Sequence, residues 1–145
     1  MRVTFPRLPD HERAWALVER DDGVVYRVYG GAAGPRLPHD IMHLVVEREL
    51  RIKDGIWAGI AAGEPSHPAG LRAEVLADLV SSAATLDTMT LEKVKRLTAA
   101  KLSVLPDADV DPVVIAAAAR ALQVEAARWA RLRIGEELSY DWPGT

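Results

Sequence analysis

The chain has 145 residues, a net charge of -3 and no cysteine. That length suits one domain with a real core, and the acidic balance offers no basic footprint for nucleic acid. Disulfides, thiolate nucleophiles and cysteine-ligated metals are excluded. With 49% hydrophobic and 27% charged residues, the composition is that of a folded globular protein.

Met1–Pro6 has no apolar leader-like run, and no window approaches the roughly 18 consecutive apolar residues of a membrane span. The expectation is a cytoplasmic protein with neither a membrane nor a nucleic-acid partner. Val3 and Phe5 alternate with Arg2 and Thr4, a short strand closed by Pro6. In Arg13–Glu19, Ala14, Ala16 and Val18 alternate with Trp15 and Leu17. Asp21-Asp22-Gly23 separates this run from Val24–Tyr29, which is β-branched and aromatic. An Asp-Gly turn between two such runs predicts a β-hairpin over Arg13–Tyr29. The glycine cluster Gly30–Pro35 lacks the Lys-Ser/Thr of a phosphate-binding loop and the spacing of a dinucleotide fingerprint, so it reads as a flexible connection.

Pro38 suits the first turn of a helix, and Asp40 complements the positive end of its dipole. The spacing predicts a helix to about Ile52, with Ile41, Leu44, Val45 and Ile52 as its apolar stripe. His39, His43, Val46, Glu47 and Leu50 lie on an adjoining stripe. Glu47 also stands four residues before Arg51, the spacing of a helical ion pair. A short helix over Asp54–Ala62 and a loop at Gly63–Gly70 come next. Helices are predicted over Leu71–Asp87, Thr90–Leu105 and from Asp111-Pro112 to near Ile134, the last opened by an N-cap with proline at N1 and closed by Gly135. Glu137–Trp142 alternates and reads as a strand that pairs with Val3–Phe5. The sum is a single α+β domain over 1–145: a small antiparallel sheet with about five helices on one face.

The chemistry concentrates at His39-Asp40-Ile41-Met42-His43. Residues four apart share a helix face, so the two imidazoles can aim at one point, about 6 Å apart along the axis. Two converging neutral imidazoles form the core of a zinc site. Glu47 is roughly 12 Å from His39 along the same axis and cannot readily share its ion. A third ligand must come from elsewhere, and Glu64 and His67 in the following loop are the candidates. No Gly-x-Ser-x-Gly elbow is present, which leaves no serine-hydrolase signature. Lys93-x-Lys95-Arg96 reads as a solvated face.

His-Asp-x-x-His resembles the His-Glu-x-x-His helix of zinc metallopeptidases, with Asp40 where that family carries its catalytic Glu. The interval from His43 to Glu64 is similar to that in peptidases whose third zinc ligand is a downstream Glu. The resemblance implies Zn2+ held by His39, His43 and Glu64 or His67, Asp40 as the catalytic acid/base, and a small molecule or peptide as substrate. It covers five residues. Across most of the chain, Leu37–Asp40, His43, Val46-Glu47, Asp54–Trp57 and Leu138–Pro143 resemble a family of small actinobacterial proteins, and that likeness implies no activity. A second reading stands beside the metal one: a non-enzymatic interaction module with structural histidines. Trp15, Tyr26 and Tyr29 near a sheet edge, with an Ala-rich last helix suited to close packing, make a homodimer its simplest form.

Overall fold

The computed structural model describes residues 1–64, 69–105 and 109–143. Its four strands are β1 (Arg2–Pro6), β2 (Arg13–Glu19), β3 (Val25–Ala32) and β4 (Glu137–Asp141), in the antiparallel order β3-β2-β1-β4. Val3 pairs with Val18 on one side and Tyr140 on the other, so the termini meet in the sheet as their alternation predicts. Five helices follow β3: α1 (His39–Leu50), α2 (Ile56–Ala61), α3 (Leu71–Ala84), α4 (Leu91–Lys101) and α5 (Pro112–Ala130). The predicted Thr90–Leu105 helix ends earlier and tightens into a 3-10 turn over Leu102–Val104. The fold is α+β.

Period-two alternation decides which sheet face meets the helices. Val3, Phe5, Ala16, Val18, Leu138 and Tyr140 point inward and are buried. Phe5 stands edge-on to Trp57 of α2 and to Tyr140, with ring centroids 5.8 and 5.9 Å apart. The opposite face carries Trp15 under the Arg27 guanidinium and Tyr29 under that of Arg13. α5 packs on α1, α3 and α4. Its Ala118 and Ala119 and the Ala73, Ala77 and Ala83 of α3 are all essentially buried, so small side chains let these two helices approach within the chain. Asp111 caps α5 by accepting the Val113 N–H at 2.9 Å, with Pro112 at N1 as predicted. The Tyr140 hydroxyl donates to the Glu125 carboxylate at 2.6 Å and so ties α5 to β4.

Three local expectations are corrected. β3 runs on through Gly30 and Gly31 to Ala32, which pairs with Arg13, so half of the glycine cluster is strand. Gly30 faces α1, where an added Cβ would come within 2.8 Å of the Asp40 carboxylate; the missing side chain makes room for that carboxylate. α5 stops at Ala130, and Gly135 (φ 96°) instead turns the chain into β4 while its N–H bonds the Arg7 carbonyl. Glu47 makes no ion pair with Arg51. Its side chain is buried under α2 and accepts the Trp57 backbone N–H.

Arg51 closes α1 in the left-handed region at φ 52°, with the Ile52 N–H returning to the Glu47 carbonyl. A non-glycine residue costs about 1–2 kcal/mol there, and glycine costs about 0.5–1 kcal/mol in chain entropy. Arg51→Gly is therefore expected to stabilise the fold by about 0.5–1 kcal/mol, read as a higher urea midpoint at unchanged slope. The reverse case is Gly55, where an added Cβ would overlap the buried Glu47 carboxyl. Gly55→Ala is expected to destabilise by about 2 kcal/mol or more. Much of that loss should return in a Gly55→Ala, Glu47→Ala double variant, a coupling that a double-mutant cycle measures.

Candidate metal centre

α1 turns His39 and His43 towards Glu74 of α3, while Glu47, one turn on, lies under α2. Pro38 precedes the helix with φ -57°, and Asp40 occupies its first turn. From there His39 and His43 fall one turn apart on the same side, as their spacing requires. Their Nε2 atoms are 3.0 Å apart, and the rings meet edge to face with centroids 4.6 Å apart. Glu74, in the first turn of α3, brings Oε2 to 3.5 Å from His43 Nε2. These three residues each offer one donor atom, all within 4.8 Å of one another, and they form the one such group among the described residues.

Three donors held about 2.0–2.1 Å from one ion at tetrahedral angles would lie roughly 3.3–3.4 Å apart. The His39–His43 and His43–Glu74 separations of 3.0 and 3.5 Å lie close to that spacing, and the third pair lies within 4.8 Å. His43 is fully buried, while His39 and Glu74 are exposed, so the group has a protein floor and an open side. Burial lowers the His43 pKa, Glu74 partly restores it and His39 lowers it again. The buried imidazole is thereby kept neutral, the state a metal ligand needs. Its Nδ1 is buried with no hydrogen-bond partner among the described residues.

The structure thus brings together His39 and His43 of the predicted set and completes them with Glu74, which the sequence reading missed. Its only sequence mark is an acidic residue in a helix's first turn, which also describes a plain dipole partner. Glu64 is not part of the group; its carbonyl accepts from the Tyr26 hydroxyl at 3.4 Å. His67 lies outside the described residues. Asp40 is half-buried against Gly30, and burial raises its pKa while His39 partly offsets the rise. With His39, Trp15 and Trp129 it lines a cleft of about 440 Å³ between β3, the segment Gly34–Pro38 and α5.

One turn beyond His43, Glu47 is 1% exposed. Its Oε2 accepts the Trp57 N–H at 3.0 Å, and its Oε1 has no partner among the described residues. Burial pushes its pKa up to about 7, with the Trp57 and Ile56 N–H groups opposing and Asp54 and Glu74 adding to the rise. A carboxyl raised in the folded state stabilises most below its unfolded pKa, and the contribution is lost as pH rises through the folded value. Stability from this group should fall by up to about 3 kcal/mol between roughly pH 4.5 and 7. Glu47→Gln should flatten that slope when melting temperature is followed across the range in the presence of chelator.

Comparison with family models, curated proteins and solved structures finds no match to this chain. Among the described residues, no helix is long and apolar enough to cross a membrane.

Proposed function

We propose that this protein binds a divalent metal ion, zinc in the first instance, through His39 Nε2, His43 Nε2 and the Glu74 carboxylate. The observation that carries the reading is the convergence of these three donors from two helices onto one point, within 4.8 Å of one another. Two imidazoles and a carboxylate are a ligand set used by hydrolytic zinc enzymes, with water in the fourth position. An ion so held lowers the pKa of its water to about 7 and supplies a nucleophile at neutral pH. Metal-assisted hydrolysis is accordingly the reaction class proposed. Asp40, which shares the cleft wall with His39, is the carboxyl proposed to take the proton. A small molecule or short peptide is the matching substrate class for a cleft of about 440 Å³.

The competing reading, an interaction module or homodimer, draws support from the sheet face bearing Trp15, Arg27 and Tyr29. Tyr29 is 50% exposed there. It leaves the buried His43 beneath two convergent donors without a role, and for that reason the metal reading is preferred.

The test uses untagged protein. Elemental analysis and calorimetry are expected to give one zinc per chain. His39→Ala and Glu74→Gln change exposed side chains and should leave the fold intact, whereas His43→Ala opens a core position. Each exposed variant should weaken zinc by more than about a hundredfold, beyond the effect of losing an outer-sphere partner. Bound zinc should be released between about pH 6.5 and 5 as the imidazoles take up protons. A wild-type protein that takes up no zinc at micromolar concentration overturns the reading, as does Glu74→Gln binding like wild type.

A further inference from the structure

At the other end of α1, away from the histidines, lies a second pocket of about 820 Å³. Its apolar wall includes the buried Ile52, Ala58 of α2 and the partly buried Trp142, which follows β4. Three cations, Arg48, Arg51 and Lys53, stand around it. Small-molecule sites are typically pockets of roughly 300–1,000 Å³ with apolar walls and a few placed polar groups. We propose that this pocket binds a small organic anion carrying one acidic head and an apolar body.

The cations are the first support. Arg48 reaches the Glu49 carboxylate only at 3.9 Å, and neither Arg51 nor Lys53 forms an ion pair with a described residue. In a chain with 21 acidic residues against 18 basic ones, three weakly neutralised cations around one cavity form a local reversal of charge. Cations at a helix C-terminus also complement the dipole, which accounts for Arg48. It does not account for Lys53, which lies past the cap, nor for an arginine at the left-handed position 51, where glycine is the less strained residue.

The second support is Glu47, the one carboxyl on the wall. It is 1% exposed, one oxygen is held by the Trp57 N–H, and the other has no partner among the described residues. A carboxyl so desolvated is a poor countercharge for the rim, and its second oxygen lies against Gly55 and not in the cavity, so the exposed cations are left without a facing acid on the wall.

The test is an amide NMR titration of the full chain with naphthoate, in chelator so that no metal ion can capture the carboxylate. Naphthamide (the same body without the charge) and acetate (a charge without the body) are the comparisons. Naphthoate is expected to saturate with shifts centred on Ile52, Ala58 and the Trp142 indole. Naphthamide should bind at least about tenfold more weakly and acetate should leave these signals unmoved, since head and body must both contribute. Arg51→Gly and Lys53→Ala, both at exposed positions, should each weaken naphthoate by about fivefold or more. Equal affinity for the amide, shifts centred on the Trp129 cleft instead, or variants that bind like wild type would each overturn the proposal. Because the metal is chelated throughout, neither result bears on the His39–His43–Glu74 reading.

Discussion

The clasp between α1 and α2 fixes the helix that carries both histidines of the candidate site. The N-cap of α2 is Gly55, which has no side chain to satisfy the helix's first N–H groups. Glu47 supplies the missing cap from another helix, accepting the Trp57 N–H at 3.0 Å, and Gly55 is bare because that carboxyl occupies the space of a Cβ. In return, the Trp57 indole N–H donates to the Asp40 carbonyl at 2.9 Å. The two bonds grip α1 on either side of His43. Trp57 is itself fully buried and stands edge-on to Phe5 of β1, so the clasp fastens α1 to the sheet as well.

A buried carboxyl is a costly way to cap six residues of helix, and the sum favours it only because of what it replaces. An isolated charge in the interior would cost several kcal/mol, whereas a carboxyl whose pKa has risen to about 7 sheds much of that cost by taking a proton. Uncapped N–H groups in the same dry place would carry their own penalty of about 1–3 kcal/mol each. The same logic extends to His43, which is neutral by burial and whose Nε2 is directed to His39 and Glu74. α1 therefore carries two desolvated titratable groups one turn apart, each poised away from its charged form by the core around it.

Much of the frame was legible because it depends on local chemistry. Alternation located β1 and β4 and their pairing, Asp-Gly located the β2–β3 turn, and Asp111-Pro112 marked the start of α5. The i,i+4 spacing of His39 and His43 carried their convergence for the same reason, since one helix fixes it. What escaped was tertiary. Glu74 is remote in sequence and meets the histidines only because α1 packs on α3. Glu47 carries the pattern of a surface ion pair with Arg51, and nothing local reveals that Gly55 and Trp57 fold over it. The glycines at positions 30 and 31 resemble a linker until Asp40 is seen against the first of them.

Both proposed ligands oppose the dipole of α1: a cation near its positive end, beside His39, and an anion near its negative end, beside Arg51. Magnitude decides whether that matters. A helix terminus contributes about 0.3–1 kcal/mol to a nearby exposed charge, whereas a structural zinc site is worth on the order of 10 kcal/mol. The cation therefore needs little help, and the Glu74 carboxylate among its donors offsets the terminus. The anion has no such margin, because a charged hydrogen bond contributes only about 1.5–3 kcal/mol. It takes several cations to overcome the carbonyl end of the helix, and the residues at that end are Arg48, Arg51 and Lys53, two of them free of any ion pair with a described residue. The side-chain charge along this helix thus complements its dipole at both ends, and at each end those side chains flank a proposed ligand site whose ligand has the opposite charge to them.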